Sequence, residues 1–90
     1  MSTMSGGQAA VESLKAENVD HVFGLIGSAT MEMFDALYDT RDINFIGVHD
    51  ERTGTHMADG FARASGRAGV ILAGQNGPGA TNLVTGLAQA

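Results

Sequence analysis

The stretch that decides the fold runs from Ile43 to Arg63 and reads INFIGVHDERTGTHMADGFAR. Its first part, Ile43–Val48, has the length and the apolar content of a buried strand. Beyond it, small and apolar residues recur at helical spacing, so one helix face turns toward a core. The stretch therefore places Glu51 where a strand ends and a helix begins, which is where ligands bind in open α/β sheets.

A carboxylate at such a junction has two explanations. It can be a helix-start acid, favoured by the positive end of the helix dipole by about 0.3–1 kcal/mol. Asp50 fits that role at least as well, because aspartate is a good N-cap residue. Alternatively, Glu51 is a functional carboxylate at a ligand site. Its position alone leaves both explanations open, so other features of the sequence are needed to decide between them.

The remaining sequence repeats the same strand–helix pattern. One helix is followed by three strand–helix units, which predicts a three-layer α/β fold with a parallel sheet flanked by helices. The expected strands are His21–Ile26, Ile43–Val48 and Gly69–Ala73. The expected core residues are Phe23, Ile26, Phe34, Leu37, Phe45, Ile46, Met57, Phe61, Val70, Ile71, Leu72, Leu83 and Leu87.

Local signals predict where the helices begin and end. Ser5 is a candidate N-cap of the first helix, and Ser28 or Thr30 of the second. Gly27 is expected to let the chain turn sharply after the first strand. The last expected helix begins near Ala80, after a glycine-rich loop. The final residues lack capping signals, so we expect the chain to be the N-terminal piece of a longer protein.

The composition narrows the function classes. Ten acidic and five basic residues give a net charge of −5, which argues against a nucleic-acid surface. The apolar runs are too short to span a bilayer, and the N-terminus has no secretory signal pattern. There is no cysteine and therefore no disulfide or thiolate metal site. These features predict a cytoplasmic protein that contacts neither membrane nor nucleic acid.

Several short catalytic and binding motifs are absent. The three histidines lack the H-E-x-x-H spacing of a zinc site, so no metal site is predicted in this chain. There is no G-x-S-x-G elbow, no Walker A motif and no dinucleotide fingerprint. Gly77-Pro78-Gly79 is either an ordinary tight turn or a loop that presents backbone N–H groups to a ligand.

Three blocks of sequence together resemble a known family. They are Phe23–Ala29 (FGLIGSA), Asp50–Gly66 (DERTGTHMADGFARASG) and Gly77–Gly86 (GPGATNLVTG). In this order and spacing they resemble the N-terminal pyrimidine-binding domain of thiamine-diphosphate enzymes such as acetolactate synthase, sulfoacetaldehyde acetyltransferase, oxalyl-CoA decarboxylase and benzoylformate decarboxylase. The resemblance implies that residues 1–90 are the N-terminal part of this flavodoxin-like domain, which is incomplete here.

The resemblance implies a role for each candidate residue. The matching glutamate in the family, here Glu51, hydrogen-bonds N1′ of the aminopyrimidine and helps to remove the C2 proton of thiamine diphosphate. Burial is expected to raise the pKa of Glu51 toward that of a proton partner. Gly27 and Ser28 would face the reactive carbon, and a second group would face the pyrimidine or a neighbouring chain. This second group is Asn76, Gly77 and Gly79.

The resemblance also implies what lies outside this chain. The diphosphate and Mg²⁺ would bind a separate domain, and the active site would form between the subunits of a homodimer or homotetramer. We therefore expect the ninety residues alone to be inactive. A requirement for FAD stays open.

The exact reaction stays open as well. Gly77–Ala90 is most similar to acetolactate synthase, which decarboxylates a 2-oxo acid and transfers the resulting group. Leu25–Ala29 and Gly74–Gly79 are more similar to sulfoacetaldehyde acetyltransferase, and Asp50 stands where a histidine is usual in the family. Related decarboxylases are a further alternative. In a different class, the chain would be a non-catalytic flavodoxin-like binding module with Glu51 as a helix-start acid.

Overall fold

The computed structural model describes residues 3–90, which form five α-helices, three strands and one 3₁₀ turn. In chain order these are α1 (Gly6–Ala16), β1 (His21–Gly24), the 3₁₀ turn (Ser28–Thr30), α2 (Met31–Tyr38), β2 (Asn44–Gly47), α3 (Glu51–Ser65), β3 (Ile71–Leu72), α4 (Gly77–Thr81) and α5 (Val84–Gln89). No helix within this part of the chain is both long enough and apolar enough to cross a bilayer.

The three strands form one parallel sheet in the order β2–β1–β3. Phe23 in the central strand lies opposite Ile46 on one side and Ile71 on the other. The predicted parallel pairing is thus confirmed, although each strand is shorter than its apolar run. Pairing between β1 and β3 is limited to two residues of each strand, because only Ile71–Leu72 is extended alongside β1.

Helices cover both faces of the sheet. Val22 packs into a cluster with α1 and α2 residues, whereas the ring of its neighbour Phe23 meets the ring of Phe61 in α3 edge-on, with centroids 6.0 Å apart. Adjacent residues of a strand point to opposite faces. The pair α1–α2 therefore lies on one face and α3 on the other, with α5 packed against α3. This is the predicted three-layer α/β arrangement.

The buried core agrees only partly with the predicted one. Phe23, Phe34 and Leu37 are buried as expected. A second group of predicted residues is half-buried: Phe45, Ile46, Phe61, Val70, Ile71, Leu72 and Leu83. The core also contains residues that the sequence analysis left out, namely Val11, Val22, Ile43, Val48 and Ala58.

Three predicted core residues are wrong. Ile26 is 58% exposed because β1 ends at Gly24 and the chain has left the sheet before it reaches Ile26. Met57 and Leu87 are 37% and 63% exposed. Each belongs to an apolar helical pattern, but the buried positions of their helices are occupied by small residues, including Ala58 in α3 and Gly86 in α5.

The first residues of α1 and α3 follow the predicted N-cap signals. Ser5 caps α1 in a reciprocal capping box. Its hydroxyl accepts from the backbone N–H of Gln8, and the side-chain oxygen of Gln8 accepts from the backbone N–H of Ser5. Asp50 caps α3 and accepts from the backbone N–H of Arg52 at 2.8 Å. Gly66 ends α3 with φ 72°, the left-handed conformation that favours glycine.

The second and fourth helices begin differently from expectation. Thr30 occupies the N-cap position of α2, but its hydroxyl donates to the carbonyl of Ala73 at 3.2 Å and does not cap the helix. The last helical region begins at Gly77, three residues before the expected start at Ala80. Pro78 lies in the first turn of α4, where its fixed φ favours helix and its missing N–H costs nothing.

Candidate functional site

The strand order creates a switch point between β1 and β3. From β1 the chain passes to β2 on one side, and from β2 it crosses to β3 on the other side. In open α/β sheets, ligands bind in the crevice at the carboxyl ends of the strands where the order reverses. Here that crevice is bordered by the segments that follow β1 and β3.

Gly27 and Gly74 bring the two segments into contact. A Cβ atom on Gly27 would lie 2.3 Å from the carbonyl carbon and oxygen of Gly74, so only glycine fits there. The expected sharp turn at Gly27 is wrong: its backbone is extended, with φ −146° and ψ 164°. The glycine is needed for close approach of two backbones, not for a left-handed conformation.

A polar bridge spans the same crevice. The side-chain amide of Gln75 donates to the Ser28 hydroxyl at 3.2 Å, and both side chains are exposed. Ser28 follows β1 and Gln75 follows β3, so the bridge joins the two segments that border the switch point. Exposed hydroxyl and amide groups of this kind can exchange their mutual bond for bonds to a ligand.

Glu51 is buried beside this crevice. It is the first residue of α3, and only 4% of its surface is exposed. Its Oε2 accepts from the backbone N–H of Gly74 at 3.1 Å, and its Oε1 accepts from the side-chain amide of Asn82 at 3.2 Å. Because Asp50 provides the helix cap, the Glu51 carboxylate does not act as the capping group of its own helix.

Helix α4 supplies both the space and a donor for this carboxylate. Gly79 is buried, and a Cβ atom there would lie 3.1 Å from Oε2 of Glu51. Asn82, three residues later, ends α4 on the same side. The backbone of Glu51 is held as well, since the buried Thr55 hydroxyl donates to its carbonyl at 2.7 Å.

The surroundings of Glu51 lower its pKa, contrary to expectation. Burial is the largest single influence and raises the pKa of this carboxyl group. Three hydrogen bonds act in the other direction: from the Gly74 backbone, from the backbone N–H of Glu51 itself and from the Asn82 side chain. Together they outweigh burial and the nearby negative charge of Asp50, because each of them stabilises the ionised form.

The structure brings together some of the predicted site residues and not others. A Cβ atom on Gly79 would lie 3.1 Å from Oε2 of Glu51, so these two residues are neighbours, and Gly27 and Ser28 lie at the same crevice through their contacts with the segment after β3. Asn76 and Gly77 are exposed, and no atom outside its own helix lies within 4 Å of the place a Gly77 Cβ would take.

Three residues that touch these groups were missed by the sequence analysis as site residues. They are Gly74, Gln75 and Asn82. Gly74 and Gln75 directly follow an apolar strand, which is the same signal that singled out Glu51. Asn82 carries no comparable signal, because Ala80, Val84 and Leu87 of the apolar pattern around it are exposed and do not mark a buried side.

The residues present fit an aminopyrimidine, which needs a carboxyl group able to share a proton with a ring nitrogen. Each oxygen of Glu51 accepts one hydrogen bond from another residue, whereas a carboxylate offers about four acceptor sites, so capacity for a ligand remains. Gly79 leaves the space beside Oε2 free of a side chain. Within residues 3–90, no three histidine, aspartate or glutamate side chains are arranged to hold a metal ion.

These features define an open α/β domain with a buried glutamate beside its switch point. Residues 4–90 match the family described as thiamine pyrophosphate enzyme, N-terminal TPP binding domain. The chain therefore belongs to this family of N-terminal thiamine-pyrophosphate-binding domains, and the resemblance found in the sequence is confirmed.

Similar curated proteins include subunits of acetolactate synthase. The chain is 49% identical to a probable acetolactate synthase large subunit of Methanocaldococcus jannaschii over 97% of its own length. It is 44% identical to the acetolactate synthase isozyme 3 large subunit of Escherichia coli over its whole length, and 45% identical to the mitochondrial acetolactate synthase catalytic subunit of Saccharomyces cerevisiae over 97%. The chain spans 14%, 16% and 12% of the length of these relatives, respectively.

Proposed function

We propose that this chain is the N-terminal, pyrimidine-binding part of an acetolactate synthase-like enzyme that uses thiamine diphosphate, with Glu51 as the proton partner of the aminopyrimidine. One observation carries the proposal: Glu51 is buried at the carboxyl edge of the sheet and is held by residues 23 and 31 positions further along the chain. A carboxylate that served only as a helix-start acid would not need these distant donors. Family membership and the named relatives support the same assignment.

The chemistry divides between the cofactor and the protein. When bound, thiamine diphosphate supplies the electron sink for the carbanion left by decarboxylation of a 2-oxo acid. Glu51 supplies a proton to N1′ of the pyrimidine and takes it back. The donors on both of its oxygens fix the carboxyl group in one orientation and stabilise the charge that remains when the proton has left.

Two other predicted groups border the same crevice. The backbone N–H of Gly27 or Ser28 is proposed to meet developing negative charge on the substrate oxygen, as oxyanion donors do in other enzymes. Asn76 and Gly77 are proposed to act, together with Gly79, toward the pyrimidine or a neighbouring subunit. The exposure of Asn76 and Gly77 favours the neighbouring subunit for these two residues.

The rest of the proposal concerns the whole enzyme. It is a cytoplasmic transferase or lyase that assembles as a homodimer or homotetramer, and its substrate is a small 2-oxo acid. Mg²⁺ binds with the diphosphate to a domain outside this chain. The ninety residues alone are expected to be inactive, because the diphosphate site lies elsewhere.

Sulfoacetaldehyde acetyltransferase is the second candidate activity, ahead of the related decarboxylases. The observation that favours it is the bridge between Ser28 and Gln75, since both residues belong to segments that resemble this enzyme more than acetolactate synthase. Supplying purified enzyme with pyruvate or with sulfoacetaldehyde and phosphate separates the two candidates. Acetolactate forms in the first case, and acetyl phosphate with sulfite in the second.

Exchange of the C2 proton of bound thiamine diphosphate tests the role of Glu51. In the full-length enzyme, Glu51→Gln keeps the size of the side chain but cannot pass on a proton. General acid–base catalysis contributes about 10²–10⁴-fold, so exchange should slow by about that factor. Glu17→Gln, at an exposed residue after α1, is the matched control. Wild-type exchange in a folded, cofactor-loaded Glu51→Gln enzyme would contradict the proposal and favour a non-catalytic binding module.

A further inference from the structure

Asn82 reaches Glu51 from a break between two helices. It ends α4, and its backbone N–H donates to the carbonyl of Pro78 at 3.0 Å, which fixes the position of its Cα. Its half-buried side chain then places Nδ2 3.2 Å from Oε1 of Glu51. Gly79 lies three residues earlier and leaves room for the other carboxylate oxygen. One side of α4 thus leaves space beside one carboxylate oxygen of Glu51, at Gly79, and provides a hydrogen-bond donor to the other oxygen, from Asn82.

We propose that Asn82 is a positioning residue, which holds the Glu51 carboxyl group in place and stabilises its charge when its proton passes to the pyrimidine nitrogen. The inference deepens the proposed function and rests on it. In that transfer the O–H bond of Glu51 breaks and an N1′–H bond forms. The electron pair of the broken bond stays on the carboxylate, where the Asn82 amide donates to one oxygen and the Gly74 backbone to the other.

The hydrogen bonds that Gly74 and Asn82 donate to Glu51 depend on different parts of the chain. Gly74 donates through its backbone, so its bond depends on the path of the chain after β3. Asn82 donates through its side-chain amide, and this hydrogen bond lowers the pKa of Glu51. A hydrogen bond to a charged group is stronger than one between neutral groups, and it is strongest where water is excluded, as it is at Glu51.

The other groups around Glu51 do not replace this amide. The hydroxyl of Thr55 donates to the backbone carbonyl of Glu51 and does not reach the carboxylate. Asp50 is the charged neighbour that opposes ionisation, and its own carboxylate is paired with Arg52 at 2.8 Å. Loss of the Asn82 donor therefore leaves burial and Asp50 opposed by backbone donors alone.

Titration of Glu51 in the cofactor-free, full-length enzyme tests this step without catalysis. The probe is the ¹³C NMR signal of labelled glutamate carboxyl groups. The signal of Glu51 is the one that is missing from the spectrum of Glu51→Gln. Asn82→Ala should move the Glu51 midpoint to higher pH. Asn82→Asp has the same shape and replaces a donor with a negative charge, so its midpoint should move further. Asn44→Ala, at an exposed asparagine that begins β2, should leave the midpoint unchanged.

The rate of C2 proton exchange in the loaded enzyme tests the consequence for the reaction. Asn82→Ala should exchange about tenfold more slowly at neutral pH, and the acid limb of its pH profile should move in the same direction as the titration. Asn44→Ala should keep the wild-type profile. If Asn82→Ala does not fold, the isosteric Asn82→Asp carries both measurements.

The outcomes separate the two proposals. A wild-type Glu51 midpoint in both Asn82 variants would overturn the positioning role. So would a shifted midpoint with an unchanged exchange profile, because Asn82 would then act on the charge of Glu51 without affecting proton transfer. Slow exchange in Glu51→Gln with normal exchange in Asn82→Ala overturns only the role of Asn82. Normal exchange in Glu51→Gln overturns the proposed function itself.

Discussion

Oε2 of Glu51 lies 3.1 Å from the backbone nitrogen of Gly74, which joins the start of α3 to the segment that follows β3. These two residues are 23 positions apart and belong to different strand–helix units. The bond connects the segments that follow the two outer strands, β2 and β3, so Glu51 contributes to the fold as well as to the proposed chemistry. Substitutions of Glu51 should therefore affect both stability and proton transfer.

Glu51→Gln should destabilise the protein at neutral pH. A glutamine amide offers one oxygen, and its NH₂ group would face a donor that the carboxylate now accepts from. Leaving one buried donor unsatisfied costs about 1–3 kcal/mol. Urea unfolding at pH 7 measures the difference between wild type and variant. Equal stability of the two proteins would show that the carboxylate contributes no net bond energy to the fold.

Glu51→Gln should also change how the stability of the protein depends on pH in the acidic range. The pKa of Glu51 is lower in the folded protein than its ordinary value of about 4.3. Its contribution is therefore fully present above about pH 4.3, and it is lost as the pH falls through the lower folded value. The stability difference between wild type and Glu51→Gln should shrink below pH 4. A difference that grows toward low pH would contradict the sign of this shift.

Much of this site could be predicted because its signals are local. The apolar run Ile43–Val48 and the helical spacing after it already place Glu51 at a strand–helix junction, and Asp50 already has the side chain of an N-cap. Repetition of the same pattern also predicts the parallel sheet, because each strand is followed by a helical segment.

The partners of Glu51 could not be predicted in the same way. The bond from Asn82 joins residues 31 positions apart, and it depends on where α4 ends and on the packing of the following helix, α5, against α3. The exposure of Ile26 also depends on distant residues, since the chain leaves the sheet after Gly24 and passes close to Gly74 at Gly27. Apolar periodicity reports which face of an element is buried, but not how far pairing extends along it.

Gly27→Ala should damage the crevice. The added methyl group would lie 2.3 Å from backbone atoms of Gly74, which cannot rotate away as a side chain can. Overpacking of this kind costs about 1–3 kcal/mol. Gly60→Ala is the matched control, because nothing lies within 4 Å of the added atom and the site is inside α3. It should stabilise the helix by about 0.5–1 kcal/mol, and thermal unfolding of both variants measures the contrast. Equal effects would mean that the close approach is not rigid.

Asp20→Asn should weaken the pairing of Asp20 with His21 and Arg67 at the amino-terminal end of β1. Asp20 pairs with His21 at 2.8 Å and with Arg67, and the hydrogen bond from His21 followed by that from Arg67 lowers the pKa of Asp20. The contribution is present above about pH 3.9 and is lost as the pH falls through the lower folded value. The stability difference from wild type should be larger at pH 7 than at pH 2.5 and should diminish in high salt. Asp35→Asn, at an exposed residue of α2, is the control.

The proposed homodimer gives the exposed side of α5 a partner. Val84 and Leu87 are 61% and 63% exposed, although both are large and apolar, and α5 follows shortly after Asn76 and Gly77, which are proposed to face a neighbouring subunit. Burying a leucine contributes about 1.5–3 kcal/mol. In the full-length enzyme, Leu87→Glu should therefore raise the dimer dissociation constant by about 10–100-fold, as measured by analytical ultracentrifugation.

Tyr38→Glu provides the comparison for this last measurement. Tyr38 is 89% exposed at the end of α2, in the layer on the opposite face of the sheet from α5, so its substitution should leave dimerisation unchanged. Proton exchange at C2 should decrease together with dimerisation in Leu87→Glu, because the proposed active site forms between subunits. A Leu87→Glu enzyme that dimerises as tightly as wild type would place the interface away from α5. A fully active monomer of the wild-type enzyme would overturn the shared site altogether.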